Sequence, residues 1–428
     1  MTRSRSLHAW RTRSTLRVGL AVCVALAAAA VAAVANRADA APAASGDLTL
    51  WNWQPVGSDY SNFFSEAGNR YKQQGGGNLS INTVDFTSYF TKFKTAAAGG
   101  DVPDLIEMSW TGDYRDVVDS GGLLALDKYL PQLPKFYGPV LNSLKYKGHV
   151  YAVPMDVNTL TIGYNKAIFK KLGLKVPKTF DQLLALAKPI RKGGYQPLAT
   201  MEKDKWPGGD LWFAQVAYTD PSATAIRQAE DGKIKWTDRR FVRAAENVKK
   251  LQTSGLLADG VTSLDFTSAT AVFARGQSAM VYPVGNFLTS ILDQGIGGRF
   301  EYGLFPFPPP KAGQKSFATG GPAIIWSIPA KAKNAAGAVE LLKLMMDKTG
   351  TDQLVKKDFI PAYPADTSAN SSALYKRMVS FQPTAQTRAI FIPNVYNTLL
   401  NGVQALINGK TTPVRMSQGM QRAYNASK

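Results

Sequence analysis

Cysteine occurs once in this chain of 428 residues, as Cys23, and histidine twice, as His8 and His149. A disulfide framework is thereby excluded, and so is a metal cluster built from cysteine and histidine. No run of five or more basic residues occurs, although lysine and arginine number 50 against 31 acidic residues. Six of the bases and one acid sit in the first 40 residues, which leaves a surplus of 14 basic charges spread singly over the other 388. Such dispersal argues against nucleic acid as a partner, while a basic surface still suits an anionic cell envelope. Also missing are a P-loop, a Gly-x-Gly-x-x-Gly turn and a Gly-x-Ser-x-Gly elbow, so neither nucleotide chemistry nor a serine hydrolase is indicated. Beyond residue 46 no stretch is long and apolar enough to cross a bilayer. What is present, 45% hydrophobic and 19% charged residues, is the composition of a folded globular chain.

The first 40 residues predict export. Residues 1–17 carry five arginines and no acid, residues 18–35 are uncharged and rich in alanine and valine, and Ala38-Asp39-Ala40 follows. A basic start, an apolar middle and a small-x-small exit are the requirements of a signal peptide cut near Ala40. A retained anchor and lipidation at Cys23 compete with cleavage, but Val22 is bulky for a lipid-attachment motif and the apolar run continues past the cysteine. The expected location is extracytoplasmic.

After the signal, residues 48–53 alternate as a strand, 58–73 carry Phe63, Phe64, Ala67 and Tyr71 on one helical face, and 79–84 read as a second strand. A helix over 89–98 and a strand over 104–108 complete a parallel α/β unit. Further on, 151–164 is extended, 166–172, 179–188, 241–253, 269–273, 286–292 and 335–347 are helical, and 279–282 and 323–328 are short strands. The Pro-rich run 305–310 is a loop.

Four stretches in order carry a resemblance: Leu48-Thr49-Leu50-Trp51-Asn52-Trp53-Gln54; Tyr89-x-x-Lys92-Phe93 through Ala98-Gly99-Gly100-Asp101-x-Pro103-Asp104; Gly148 through Leu160 with Tyr164-Asn165-Lys166; and Phe273-x-x-Gly276-x-x-Ala279-Met280 with Gly285. Together they resemble the extracellular solute-binding proteins of carbohydrate ABC importers, the group that includes maltodextrin-binding proteins. The resemblance implies an α/β, two-lobed periplasmic-binding-protein-like fold (type II), each lobe a sheet flanked by helices, with three hinge crossings. By analogy the crossings fall near Asp156, Pro322 and Phe381, giving one lobe of residues 47–156 plus 322–380 and another of 157–321 plus 381–428. It further implies a carbohydrate ligand, with an oligosaccharide favoured, permease subunits as partners, a monomer, and no enzymatic activity.

A sugar presents apolar faces and a rim of hydroxyls, so its pocket needs flat rings beside paired donors and acceptors. Trp53 and Gln54, at a strand end, supply both kinds, with Trp51 expected in the core. Ser109 and Trp110 follow a buried strand at its carboxyl end, where open α/β sheets bind ligands. Asp156 and Asn158 share a face of extended chain at the proposed crossing, as a hydroxyl clamp or as hinge-stabilising groups. Trp206, read as lying on a loop before Pro207-Gly208-Gly209-Asp210, matches a stacking position in the maltodextrin-binding relatives, and Trp212 is expected in the core. Asn286 and Phe287 follow Gly285, the phenylalanine standing where the family often has tryptophan. Gly320 and Gly321 bring backbone amides close to the cleft. Tyr363 and Phe359 flank Pro361. No cofactor and no metal are expected. A secreted glycosidase would need two carboxyls about 5–10 Å apart, and nothing in the spacing of Asp104, Glu107 and Asp156 selects a pair. Polyamines, peptides and ferric ion stand as rival ligand classes beside the sugar.

Overall fold

The computed structural model describes residues 45–108, 112–131, 138–387 and 390–428. The proposed signal peptide, with Cys23 and Ala40, lies outside the described residues, as do Ser109 and Trp110.

Alternating apolar residues form the opening strands. In β1 (Leu48–Asn52) the side chains of Leu48 and Leu50 are buried on one face. Parallel to β1, on its two sides, run β2 (Leu79–Thr83) and β3 (Leu105–Met108). The first connection is the helix Asp59–Gln73, which begins where the Ser58 hydroxyl accepts from the Ser61 amide and buries Phe63, Phe64, Ala67 and Tyr71 as the periodicity predicts. The second is the helix Phe86–Gly99, which starts nearly one turn earlier than its apolar pattern suggests.

A short ribbon of β4 (Lys145–Tyr146) and β5 (His149–Val150) precedes β6 (Val153–Pro154), which joins the first sheet, and then β7 (Asp156–Asn165), which founds the second. Around β7 assemble β8 (Gln196–Thr200), β9 (Ser278–Val284), β10 (Tyr302–Phe305) and β11 (Ala318–Pro322). The chain then returns to the first sheet as β12 (Ile325–Ser327), while β13 (Ile360–Pro361) pairs with the first two residues of β7 and β14 (Ala385–Thr387) lies beside β11. The orders are β2-β1-β3-β12-β6 and β14-β11-β7-β9-β8. Strand membership therefore passes between sheets at residues 154–156 and 322–325 and once more after Ser327.

Elsewhere too the fold departs from the local pattern. Ala318–Pro322 is a strand, although Gly-Gly-Pro reads as a breaker; it exists because β7 and β14 bond it from both sides. The long helix expected over 179–188 is two short ones, Phe180–Ala185 and Ala187–Lys192, separated at Leu186 ahead of Pro189. The remaining helices cover the sheet faces: Trp212, Trp236 and Phe241 pack over one face of the second sheet with Leu160, Ile162 and Tyr282. Phe64 packs edge-on to Trp326 over the first sheet. Among the described residues no helix is long and apolar enough to cross a membrane.

Candidate functional site

The first residue of β7 ties the two sheets together. Asp156 is fully buried, and its Oδ2 accepts from the Tyr60 hydroxyl at 2.7 Å and from Asn286 Nδ2 at 2.7 Å. Its Oδ1 accepts from the Ile324 amide at 3.2 Å. Tyr60 belongs to the helix between β1 and β2, Asn286 opens the helix Asn286–Ile296 after β9, and Ile324 lies between β11 and β12. Burial pushes the carboxyl up to about 6, against the pull of these three bonds.

Two residues along, Asn158 projects from the same face of β7. Its Oδ1 is buried without a hydrogen-bond partner among the described residues, and so is Asn286 Oδ1. Gly285 gives these groups room: a Cβ there would lie 3.0 Å from Asn158 Oδ1 and 3.0 Å from the Phe287 ring. Phe287 meets Trp206 at a ring separation of 6.2 Å and 65°, and Phe266 at 6.2 Å and 34°. The structure thus brings together Asp156, Asn158, Trp206, Asn286 and Phe287.

Trp206 is not on a loop. It is the first residue of the helix Trp206–Thr219, with Pro207 tolerated in the first turn because that N–H has no intrahelical partner. Gly208 and Gly209 serve packing: a Cβ on Gly208 would meet Glu202 Oε2 at 2.4 Å and one on Gly209 would meet Leu400 at 2.6 Å. Trp212, on the same helix, is fully buried as expected.

Past the end of β1, the Trp53 amide donates to Glu107 Oε2 at 3.2 Å, the Gln54 amide to Asn52 Oδ1 at 2.7 Å, and Gln54 Nε2 to Glu107 Oε1 at 2.6 Å. The half-buried Trp53 ring stands edge-on to Phe86 and Tyr89. Glu107 is fully buried and pushed up to about 8 by desolvation, so it carries its proton at neutral pH. Tyr60 has no site signal in the sequence, and Glu107 enters there only as one of three carboxyls whose spacing selects no pair.

Several of the remaining candidates border the Asp156 group. Gly320 and Gly321 pair with Thr159 and Asn158 within the sheet. A Cβ on Gly320 would fall 2.5 Å from the Asn158 carbonyl, so a glycine there lets β11 lie close against β7. Gly321, at φ +131°, holds a backbone conformation that favours glycine. Tyr363 is half-buried against the core of the first sheet, and Phe359 is interior, stacked on Tyr60 at 4.1 Å. Trp51, expected in the core, is half-buried.

Chemically the site offers rings and buried acceptors that lack donors among the described residues. Its carboxyls are engaged by Tyr60, Asn286, Gln54 and backbone amides, an arrangement for holding and not for proton transfer to a substrate.

Two sheets flanked by helices and joined through a shared polar seam define a two-lobed binding protein. The chain belongs to the bacterial extracellular solute-binding protein family, which matches residues 51–352. That is a family of binding proteins, not of enzymes, and it works outside the cytoplasm. Among curated proteins, the multiple sugar-binding protein of Streptococcus mutans is 28% identical over 262 residues, 60% of this chain and 61% of that one. The chain thus spans about three fifths of that relative's length. The melibiose/raffinose/stachyose-binding protein MelE of Bacillus subtilis is 22% identical over 90% of each chain. A solved chitin oligosaccharide binding protein superposes with a TM-score of 0.77 at 22% identity, covering 89% of this chain and 98% of that one, which establishes the two-lobed fold.

Proposed function

We propose that this protein captures a neutral oligosaccharide between its two lobes and hands it to the membrane permease of an ABC importer. The lobes are residues 47–156 plus 322–380 and 157–321 plus 381–428. Residues 1–40 are the export signal, and the mature protein acts as a monomer. The observation that carries the reading is the pair of buried acceptors, Asn158 Oδ1 and Asn286 Oδ1, left without donors among the described residues beside the Phe287 and Trp206 rings. An orphaned buried acceptor costs about 1–3 kcal/mol, which a hydroxyl donor from the ligand recovers, while the rings take the sugar's C–H faces. The sugars bound by the Streptococcus mutans and Bacillus subtilis relatives support the same class.

The test is a thermal-shift screen of the purified mature chain, followed by calorimetry, against melibiose, raffinose, stachyose, maltotriose and chitin oligosaccharides, with spermidine, a tripeptide and ferric citrate as rivals. A sugar at about 100 times its Kd adds about 2.7 kcal/mol of stability. Affinity should be nearly flat between about 50 and 500 mM salt, because hydroxyl contacts are not screened as charge pairs are. A shift from spermidine, the peptide or iron, with none from any sugar, overturns the reading.

A further inference from the structure

Basic charge is divided unequally between the two proposed lobes. Residues 47–156 plus 322–380 hold 17 Lys and Arg against 17 Asp and Glu, whereas residues 157–321 plus 381–428 hold 27 against 13. The whole excess of 14 therefore belongs to the second lobe. Part of it gathers at the end of that lobe remote from Asp156. Strand β7 runs from Asp156 to Asn165, about 30 Å at 3.3 Å per residue, and the helix Lys166–Lys171 begins there. Residues 166–192 carry eight bases and one acid, Asp181. Phe169, Leu183 and Ile190 turn into the core, and Lys170, Lys171, Lys188 and Lys192 stay exposed. A Cβ on Gly193 would lie 2.7 Å from the Leu172 side chain, so the helix ends that carry Lys171 and Lys192 meet. Arg191 ties them to the end of the helix Arg239–Thr253, donating to the Gly255 and Leu257 carbonyls at 2.8 Å each. That helix buries Phe241, Ala245 and Val248 and exposes Arg239, Arg243 and Lys250 on its opposite face, a stripe of about 16 Å at 1.5 Å per residue. The acids along this row are few: Glu246 stands in the stripe, and Asp259 is held by Arg191 at 3.0 Å.

We propose that this row, from Arg239 through Lys250 and Arg191 to Lys192 and Lys171, is a docking track for a linear phosphodiester polymer of the cell envelope. The family works outside the cytoplasm, so the polyanion within reach is that of the envelope. Single charges strung along a line suit a chain that bears one negative charge per repeat. A bilayer calls for an apolar face beside the basic one, and over residues 166–192 and 239–253 Val176 alone stands among the exposed large apolar residues. Single-stranded nucleic acid calls for rings on which bases stack. The exposed large rings among the described residues, Phe86 and Tyr129, belong to the first lobe, and the Tyr195 ring is covered by Lys171 Nζ at 5.2 Å. Because the track lies a strand's length from Asp156, polymer and cleft ligand bind without competing, and the polymer retains the protein in the envelope while the cleft stays free.

Biolayer interferometry of the full mature chain on immobilised poly(glycerol phosphate) tests the track, with tripolyphosphate, phosphatidylglycerol vesicles and single-stranded DNA as competitors. The chain should bind in about 50 mM salt and about a hundredfold or more weakly in about 500 mM, because phosphate contacts release counterions. Lys171→Gln, Lys188→Gln, Lys192→Gln and Lys250→Gln combined should weaken binding about tenfold or more. The matched first-lobe variant, Lys128→Gln, Lys331→Gln, Lys356→Gln and Lys376→Gln, removes the same charge and should cost about twofold or less. All eight lysines are exposed, so both variants should melt with the wild type and bind the cleft ligand equally. No binding to the polymer in about 50 mM salt overturns the track, and so do equal losses from the two variants, which would make the contact one of net charge. Displacement by tripolyphosphate as effective as by free polymer at equal phosphate would replace the track with a point site and overturns it too. So does displacement by vesicles or DNA that matches the polymer's. Each of these results leaves the carbohydrate reading intact, since that reading is tested by the sugar screen alone.

Discussion

Asn286 Nδ2 lies 2.7 Å from Asp156 Oδ2, so the opening residue of a helix on the second sheet holds the first residue of the strand that leaves the first sheet. Tyr60, from a helix of the first sheet, holds the same oxygen at 2.7 Å. One buried carboxylate is thus the joint between two layers, and hinge motion between the lobes must either keep both bonds or exchange one of them.

Tyr60→Phe tests that joint. Removing a donor to a buried carboxylate should cost about 1.5–3 kcal/mol at pH 8. The cost should shrink below pH 6, where Asp156, held at about 6, takes up a proton and depends less on its donors. Chemical denaturation at pH 5 and pH 8 measures both; an equal loss at the two values would show that Tyr60 contributes packing alone.

Trp206 and Trp212, less than two turns apart on one helix, should separate binding from stability. Trp206→Ala removes apolar contact worth roughly 1.5–3 kcal/mol, a loss of about 10- to 150-fold in sugar affinity, with Trp206→Phe retaining part of it. Since Trp206 also touches Phe287, a small fall in melting temperature is expected. Trp212→Ala empties the core of the second sheet and should cost about 3–5 kcal/mol of stability. A Trp206→Ala chain that melts early yet binds normally would falsify the platform role.

Stability should fall as pH rises from about 4.5 to about 8. Glu107 and Glu202, both fully buried, are pushed up to about 8 by desolvation, with the Asp210 charge adding to the effect at Glu202. Across that window the unfolded chain releases protons that the folded chain keeps, so each group draws down stability by at most about 1.4 kcal/mol per pH unit. The contribution is fully present below the unfolded value and lost once the folded value is passed. Glu202→Gln, whose amide needs no proton, should flatten the slope in urea titrations across pH 5–9; an unchanged slope would remove Glu202 from the account.

Gly320→Ala should loosen the sheet where β11 crosses β7. Its new Cβ would meet the Asn158 carbonyl at 2.5 Å, and backbone cannot yield as a side chain can. Overpacking of this kind costs about 1–3 kcal/mol. The melting temperature should drop by several degrees, and the Asn158 amide should lose hydrogen-exchange protection relative to the rest of β7.

The sequence by itself determined the order of strands and helices at the start of the chain, because periods of two and 3.6 are local properties of the backbone. It also determined the caps: Ser58 and Thr179 begin helices by accepting from amides three residues on, an interaction that no distant residue decides. The family follows from the same short-range patterns taken in order. Tertiary structure alone decided the rest. Trp206 opens a helix although Pro207-Gly208-Gly209 reads as a loop, and the glycines in its first turn fit because Glu202, Val403 and Leu400 pack against them, two of those three contacts coming from far along the chain. Ala318–Pro322 is a strand because two neighbours bond it, against the conformational preference of Gly-Gly-Pro. Asp156 is a buried joint because its side-chain donors lie 96 and 130 residues away, and Glu107 keeps its proton because the folded core withholds water from it. Hydrogen bonds of that reach, and burial itself, are made by the packing of sheet against helix, and a linear pattern of residue types does not contain them.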